Sequence, residues 1–177
     1  AQERGIDTII DFFNSRVVEK IIKTRGRAKI ITATNVFAHM ENIHEVVSNI
    51  KKLLAPDGVF ISESHYLFSL IKRLQYDTIY HEHMRYYSLA SLKYLLEMHG
   101  FIVFHAKKIP SHGGSIRVYA ARRTTRSVLP TVKKILALEK SLVTNRNNFL
   151  KFKHRVVLSK LQLMSLLTRL KSAGKKI

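Results

Sequence analysis

The sequence predicts an α/β fold followed by two basic helices. Four short runs rich in apolar and β-branched residues, 28–34, 59–63, 101–105 and 115–121, are separated by longer stretches in which apolar residues recur at helical spacing. Hydrophobic residues make up 46% of the 177 residues, which is enough for a packed core. No apolar run approaches the ~20 residues that span a bilayer, so we expect no transmembrane segment.

Cysteine is absent from the chain, and this excludes disulfides and thiolate metal sites within it. The first five residues, AQERG, have neither the basic nor the apolar region of a secretory signal. Both observations fit a reducing compartment, so we expect a cytoplasmic location.

The first part of the chain alternates helices with strands. Apolar residues recur at helical spacing after Asp7, and Asn42 is placed to cap a second helix. A mostly apolar, β-branched run between these helices is typical of a buried strand. The predicted elements are a helix over 8–22, a buried strand over 28–34, a helix over 42–54, a turn at 56–58 and a strand over 59–63.

The second part places a polar and aromatic connector between two helices and ends in a strand pair. Ser88 is a capping residue and Gly100 is a helix stop. Because a short loop joins the last two strands, we expect them to be antiparallel. The predicted elements are a helix over 66–76, the connector 80–87, a helix over 88–99, strands over 101–105 and 115–121 around the loop 110–114, a basic linker over 122–126, and helices over 129–143 and 148–172.

The positive charge is concentrated at the end of the chain. The net charge is +19, and residues 131–177 hold twelve Lys and Arg but one acid, Glu139. Such a surface attracts polyanions, which leaves open an alternative function as a basic binding or scaffold module that contacts nucleic acid or acidic lipid without catalysis of its own. A solvated helix face is the other interpretation. The basic residues alternate with Leu, Val and Ile, whereas nucleic-acid modules interleave aromatic residues or glycines.

Three stretches carry a resemblance to a known family. They are NVFAH at 35–39, YDTIYHEHMRYYS at 76–88 and PSHGGSIRVY at 110–119. Together they resemble the bacterial deoxysugar C-methyltransferases, which act with S-adenosylmethionine on nucleotide-linked keto sugars. The resemblance implies the second half of a class I methyltransferase (Rossmann-like) sheet with a reversed terminal hairpin, followed by two C-terminal helices.

The resemblance also implies that the chain is the central part of a longer enzyme. Family members have a cysteine-ligated zinc module and a Gly-rich donor loop before this region, and a further domain after it. The domains expected here are therefore a partial methyltransferase-like domain over 1–124 and a basic helical pair over 125–177 that links to a missing C-terminal domain. Zinc is expected only in the missing N-terminal module, and the expected partners are the nucleotide-sugar substrate and the missing parts of the parent enzyme.

The central run Tyr80-His81-Glu82-His83 is expected to carry the chemistry. Histidine is a competent neutral base near neutral pH, with a reference pKa of ~6.5. By resemblance, His83 is the general base that removes a proton from a carbon α to a ketone, with Tyr80 and Glu82 as helpers. His39 is by resemblance a second active-site histidine. Adjacent side chains rarely reach one ion together, and the His-Glu-x-x-His spacing is absent, so we expect no metal site.

The remaining candidates surround this centre. Asn35 follows a predicted parallel strand, and open α/β sheets bind ligands at that edge, so we expect it to contact the cofactor or the sugar. Arg117 is either a phosphate partner or part of a solvated face. The other histidines are expected at the surface: His44, His65, His99, His105 and His154. The expected substrate-binding residues are Glu63, Tyr66, Tyr76, His112, Gly113 and Gly114, the last three because glycine lets the backbone approach a diphosphate or sugar.

Overall fold

A four-stranded sheet with strand order β1-β2-β4-β3 forms the centre of the computed structural model, which describes residues 2–123 and 126–177. The strands are β1 (Ala28–Thr34), β2 (Leu54–His65), β3 (Phe101–Ile109) and β4 (Ser115–Arg122). The helices are α1 (Ser15–Arg25), α2 (Ile43–Leu53), α3 (Leu67–Arg73), α4 (Leu89–Met98), α5 (Pro130–Lys140) and α6 (Arg146–Ser172). Single 3₁₀ turns occupy Gln2–Arg4, Phe37–His39, Tyr76–Thr78 and Ser111–Gly113.

The pairing of the strands confirms the predicted fold class. β1 and β2 are parallel, whereas β4 pairs antiparallel with both β2 and β3. The sheet is therefore mixed α/β with a reversed terminal hairpin, and two helices follow it. Because β1 and β2 are parallel, their last residues, Thr34 and His65, end at the same edge of the sheet.

The predicted helix over 8–22 is wrong at its start. α1 begins at Ser15, because the side chain of Asn14 accepts a hydrogen bond from the backbone N–H of Val17 at 3.0 Å and so caps the helix there. Phe12, one of the apolar residues of the predicted helix, is 88% exposed. The helical spacing of apolar residues before Asn14 is therefore not used for a helix.

β1 is also less buried than its composition predicts. It is the edge strand of the sheet, and none of its residues is fully buried. Ile30 is 65% exposed. A buried strand was expected from the β-branched run, but burial of a strand depends on what covers its two faces and its free edge.

The predicted turn at 56–58 lies within β2 as an irregularity. Ala28 pairs with Leu54, and the next pair, Ile30 with Val59, skips several residues of β2. A Cβ on Gly58 would lie 2.8 Å from Cδ1 of Leu54, so glycine is needed for this close packing. The turn residues therefore bulge out of a longer strand instead of preceding it.

α4 is capped from two directions, and the second cap fixes α5 against the sheet domain. Ser88 caps the helix in a reciprocal pair with Ser91. The carboxylate of Glu139 in α5, 1% exposed, accepts the backbone N–H groups of Leu89 and Ala90 at 2.5 and 2.9 Å. A negative charge at a helix N-terminus is stabilised by the helix dipole.

The boundary between the expected domains 1–124 and 125–177 lies outside the described residues, because it falls at Thr124 and Thr125. So does the middle of the predicted linker 122–126, whose first residue, Arg122, is the last residue of β4. Beyond the boundary, Val132 and Ile135 of α5 belong to the same buried cluster as the sheet.

α6 contrasts with the other helices because none of its residues is buried. Its contacts include Arg155, which donates to the backbone carbonyl of Ile71 at 3.4 Å, and Ser159, whose hydroxyl lies 3.5 Å from that of Tyr76. The described part of the chain holds no helix of sufficient length and apolarity to cross a membrane.

Candidate active site at the carboxyl ends of β1 and β2

A cavity of about 440 Å³ opens where β1 and β2 end. This is the edge at which open α/β sheets bind ligands. Most of the residues that line it carry a polar group, and four of them are histidines. Its lining residues are Asn35, Ala38, His39, Ser64, His65, Asp77, Thr78, Tyr80, His83 and His112.

The hydrogen bonds of His83 define which of its nitrogens is the base. Nδ1 lies 2.9 Å from the backbone carbonyl of Thr78, and a carbonyl only accepts, so Nδ1 carries the proton. In the neutral ring the lone pair is then on Nε2, which lies 3.1 Å from the hydroxyl of Tyr80 and accepts a hydrogen bond from it. Nε2 of His83 is therefore a basic atom held by a fixed tautomer, and it points at a displaceable phenol.

The backbone around His83 is tied to the segment that carries His39. The N–H of Met84 donates to the carbonyl of Ala38 at 3.0 Å, and the guanidinium of Arg85 donates to the carbonyls of Met40 and Glu41. These bonds bring the two histidine rings together, with centroids 5.0 Å apart and planes at 58°.

Asn35 reaches the cavity from a turn of unusual conformation. Its φ is +55°, in the left-handed region that asparagine tolerates better than most residues. Its backbone N–H donates to the carbonyl of Glu63 at 2.8 Å, which ties the end of β1 to the end of β2. Asn35 lines the cavity, and its side-chain amide has both a donor and an acceptor group.

The loop at 112–114 packs against α3 and the residues just after it. A Cβ on Gly113 would lie 1.7 Å from Nε2 of Gln75, and one on Gly114 would lie 2.4 Å from Oγ of Ser69. Both glycines also have positive φ values, +73° and +125°, so a side chain at either position would strain the backbone as well as displace these neighbours. Of the three predicted residues, His112 lines the cavity, with a left-handed φ of +51°.

Besides Gly113 and Gly114, four predicted residues do not line the cavity. The carboxylate of Glu63 is bound to Arg117 at 2.6 Å and to the hydroxyl of Ser111 at 3.0 Å. Tyr66 is fully buried, and burial, with Glu139 nearby, raises the pKa of its phenol. The remaining two are Tyr76, which contacts α6, and Glu82, which is exposed in the turn before His83.

The structure adds residues that the sequence did not indicate, above all His65 and its neighbour Ser64. His65 was expected at the surface, yet it is half-buried and lines the cavity. Burial lowers the pKa of His65, and the neighbouring His83 and His112 lower it further, against a hydrogen bond with Gln75 that raises it. The usable signal was position, because residues 64 and 65 end β2 just as Asn35 follows β1.

The histidines of the cavity are not grouped as metal ligands. Within residues 2–123 and 126–177, no group of three or more His, Cys, Asp or Glu side chains is arranged to hold an ion.

Comparison with protein families gives this cavity its context. A family model described as a methyltransferase domain matches residues 4–106, which is more than half of the chain. The chain belongs to the methyltransferase domain family. A second model, described as a C-methyltransferase C-terminal domain, matches residues 110–177. The cavity residues up to His83 thus lie in the methyltransferase match, and His112 lies in the second match.

A curated relative agrees with both matches. The C-methyltransferase NovU of Streptomyces niveus is 44% identical over 142 residues, which cover 80% of this chain and 34% of that protein. The methyltransferase chain thus spans about a third of the length of this relative. The comparisons do not favour the alternative of a basic module that contacts nucleic acid or acidic lipid.

Several solved structures are similar in part. A SAM-dependent methyltransferase from Anabaena variabilis matches with a TM-score of 0.49 at 11% identity, over 66% of this chain and 58% of that one. Magnesium protoporphyrin IX methyltransferase from Synechocystis, with bound SAH, matches with a TM-score of 0.43 at 15% identity, over 58% and 48%.

Proposed function

We propose that this chain carries the acceptor side of an S-adenosylmethionine-dependent C-methyltransferase, which methylates a carbon α to a ketone of a nucleotide-linked deoxysugar. The family match and the C-methyltransferase relative support the reaction class. The observation that carries the proposal is the fixed tautomer of His83, whose Nε2 has its lone pair toward the hydroxyl of Tyr80, with both residues lining the cavity. Methylation of such a carbon needs a base that removes the α proton. Cysteine is absent from the sequence, so no thiolate of this chain can be that base.

In this scheme the hydroxyl of Tyr80 changes its hydrogen-bond partner when the acceptor binds. As the acceptor enters, the phenol of Tyr80 turns from Nε2 of His83 to the ketone oxygen, and this exposes the lone pair of Nε2. Nε2 then takes the α proton while Tyr80 stabilises the enolate oxygen by hydrogen bonding. His39, 5.0 Å from His83 between ring centroids, orients the sugar or the base.

In this scheme the methyl donor reaches the same cavity from the end of β1, where Asn35 lies. Asn35 is the expected contact for the donor, because this residue lines the cavity and its side-chain amide can both donate and accept. S-adenosylmethionine supplies a methyl group on a positively charged sulfur, so protonated imidazoles nearby would disfavour it. The lowered pKa of His65 keeps that ring neutral and compatible with such a donor.

Exchange with solvent tests the base function independently of methyl transfer. The protein is incubated in D₂O with a thymidine-diphosphate-linked keto sugar, with and without S-adenosylmethionine, and NMR follows the sugar protons. We expect deuterium to replace the α proton without the donor, and a new carbon–methyl group to form when the donor is added. The same nucleotide linked to a sugar without a ketone is the control.

Two results would contradict the proposal. Methylation of an oxygen or nitrogen in place of carbon would exclude the reaction class. Absence of both exchange and methylation, with the nucleotide sugar shown to bind by calorimetry, would exclude base catalysis at this site.

A further inference from the structure

The hydroxyl of Ser64 has no partner of its own. Ser64 is 2% exposed, and its Oγ forms no hydrogen bond within the described ranges 2–123 and 126–177. A buried hydroxyl without a partner destabilises the fold, so its presence needs a reason. Ser64 lines the cavity at the end of β2, where a bound ligand would supply the missing partner.

Ser62 provides the internal comparison. It lies two residues earlier, so its side chain leaves β2 on the same face as that of Ser64. It is also buried, at 0% exposed, and its Oγ likewise lacks a partner in the described part of the chain. Ser62 is not among the residues that line the cavity, so the two serines differ in their access to a ligand.

His65 adds a second polar group at the same strand end. Its Nε2 lies 3.3 Å from Oε1 of Gln75, an amide oxygen that only accepts, so Nε2 carries the proton. The neutral ring then keeps its lone pair on Nδ1. Burial and two neighbouring histidines hold the pKa of His65 below its usual value and so favour this neutral form.

Consecutive residues of a strand point to opposite faces, so the cavity encloses the end of β2 from both sides. Ser64 then offers a hydroxyl that donates or accepts, and His65 offers an acceptor nitrogen. Neither group is charged. A hydroxyl or carbonyl oxygen matches this pair, whereas a phosphate would call for cationic partners.

We propose that Ser64 and His65 form a recognition site for an uncharged oxygen group, a hydroxyl or carbonyl, of the sugar ring of the acceptor. This inference rests on the proposed function, since the acceptor is taken to be a nucleotide-linked sugar. The Ser64–His65 pair holds the ring from the β2 side, and the His83–Tyr80 pair acts on the reacting carbon. Its role is to bind and select the acceptor.

The two serines allow a test in which stability and binding move in opposite directions. Ser64→Ala and Ser62→Ala each remove an unpartnered buried hydroxyl, so both variants should unfold at a temperature equal to or above that of the parent. Binding of a thymidine-diphosphate-linked keto sugar is then measured by calorimetry for the parent and both variants. Thymidine diphosphate alone is the second ligand, and it separates sugar contacts from nucleotide contacts.

We expect Ser64→Ala to weaken binding of the sugar nucleotide about tenfold while leaving thymidine diphosphate unchanged, as the loss of one hydrogen bond predicts. Ser62→Ala should bind both ligands like the parent. His65→Ala should weaken the sugar nucleotide by a similar factor.

The outcomes separate the two proposals. If the parent binds the sugar nucleotide and Ser64→Ala binds it equally well, the Ser64–His65 site is wrong and the substrate class stands. If Ser62→Ala weakens binding as much as Ser64→Ala, the effect is transmitted through β2 and the site is again wrong. If the parent fails to bind any sugar nucleotide, the proposed substrate class falls and the inference falls with it.

Discussion

Two pairs of histidine rings in this chain have similar geometry and different hydrogen-bonding partners. The ring centroids of His39 and His83 are 5.0 Å apart, and those of His44 and His99 are 5.3 Å apart. In the second pair, Nε2 of His99 lies 3.0 Å from Nδ1 of His44, and Nδ1 of His99 lies 3.1 Å from the hydroxyl of Ser48.

The difference lies in what each nitrogen is bound to. His83 has one nitrogen fixed by a backbone carbonyl and the other facing a phenol at the edge of a cavity. Both nitrogens of His99 are hydrogen-bonded to other side chains. The pKa of His99 is lowered mainly by burial and, to a smaller extent, by the nearby His44 and Lys51. Close approach of two imidazoles therefore says little about function, whereas the partner of each nitrogen distinguishes a base from a structural pair.

The largest effect that tests this comparison is the loss of His83. We expect His83→Ala to reduce methyl transfer roughly 10²–10⁴-fold, because a general base contributes about that factor. The matched variant His99→Ala should retain activity within about twofold, since surface changes remote from a site have small effects. Steady-state methyl transfer with a labelled donor gives both values. Equal losses of methyl transfer in the two variants would show that the hydrogen-bonding partners of the rings do not distinguish a base from a structural pair.

The hydroxyl partners give the next largest effect. Tyr80→Phe removes the phenol that His83 faces, and we expect a loss of roughly 10²-fold in kcat, as for removal of one oxyanion donor. Ser48→Ala removes the corresponding hydroxyl beside His99 and should leave kcat unchanged. A Tyr80→Phe enzyme that changed only KM would show that the phenol binds the acceptor without stabilising the enolate.

The smallest effect concerns the pH dependence of stability. Because the folded pKa of His99 is lowered, the unfolded chain binds more protons just below the ordinary value of about 6.5, so the free energy of unfolding falls as pH decreases through that range. His99→Gln removes this contribution, and the loss of stability between pH 7 and pH 5 should shrink by less than about 1 kcal/mol, since partly exposed charges interact weakly. Urea titrations at several pH values measure it.

Above about pH 8 the ring of His99 is neutral in both the folded and the unfolded chain, because its folded pKa is lowered, so the curves for the parent and His99→Gln should run parallel. An unchanged slope at acid pH would mean that the second pair is not coupled to folding.

Local signals in the sequence predicted most of the fold. Caps such as Asn42 and Ser88 and the stop at Gly100 act over three or four residues, so they are readable without the tertiary structure. The predicted start of α1 was wrong because the apolar spacing before Asn14 was taken as helical, whereas the cap formed by the Asn14 side chain places the start at Ser15. The prediction that β1 is buried was wrong because burial depends on the elements that cover a strand, and no local sequence pattern reveals them.

The predictions for the site residues also differ in how well they match the structure. His39, Tyr80 and His83 were indicated by a resemblance over a long motif, and the structure lines one cavity with all three. Glu63 was chosen by its position at a strand end, but its side chain leaves β2 toward Arg117. Which residue of β4 lies opposite Glu63 depends on the register of β2 with β4, which sequence alone left open.

The bond between Glu139 and the first turn of α4 has a consequence for the order of folding during synthesis. The two partners are 50 residues apart, and Glu139 comes second. At the usual speed of translation, α4 waits roughly three to ten seconds for this carboxylate after its own first turn has been made. Over that interval we expect α4 to be incompletely fixed against the sheet of the nascent chain. A chain stalled on the ribosome before residue 139 should therefore be cleaved by proteases faster than one stalled well beyond it.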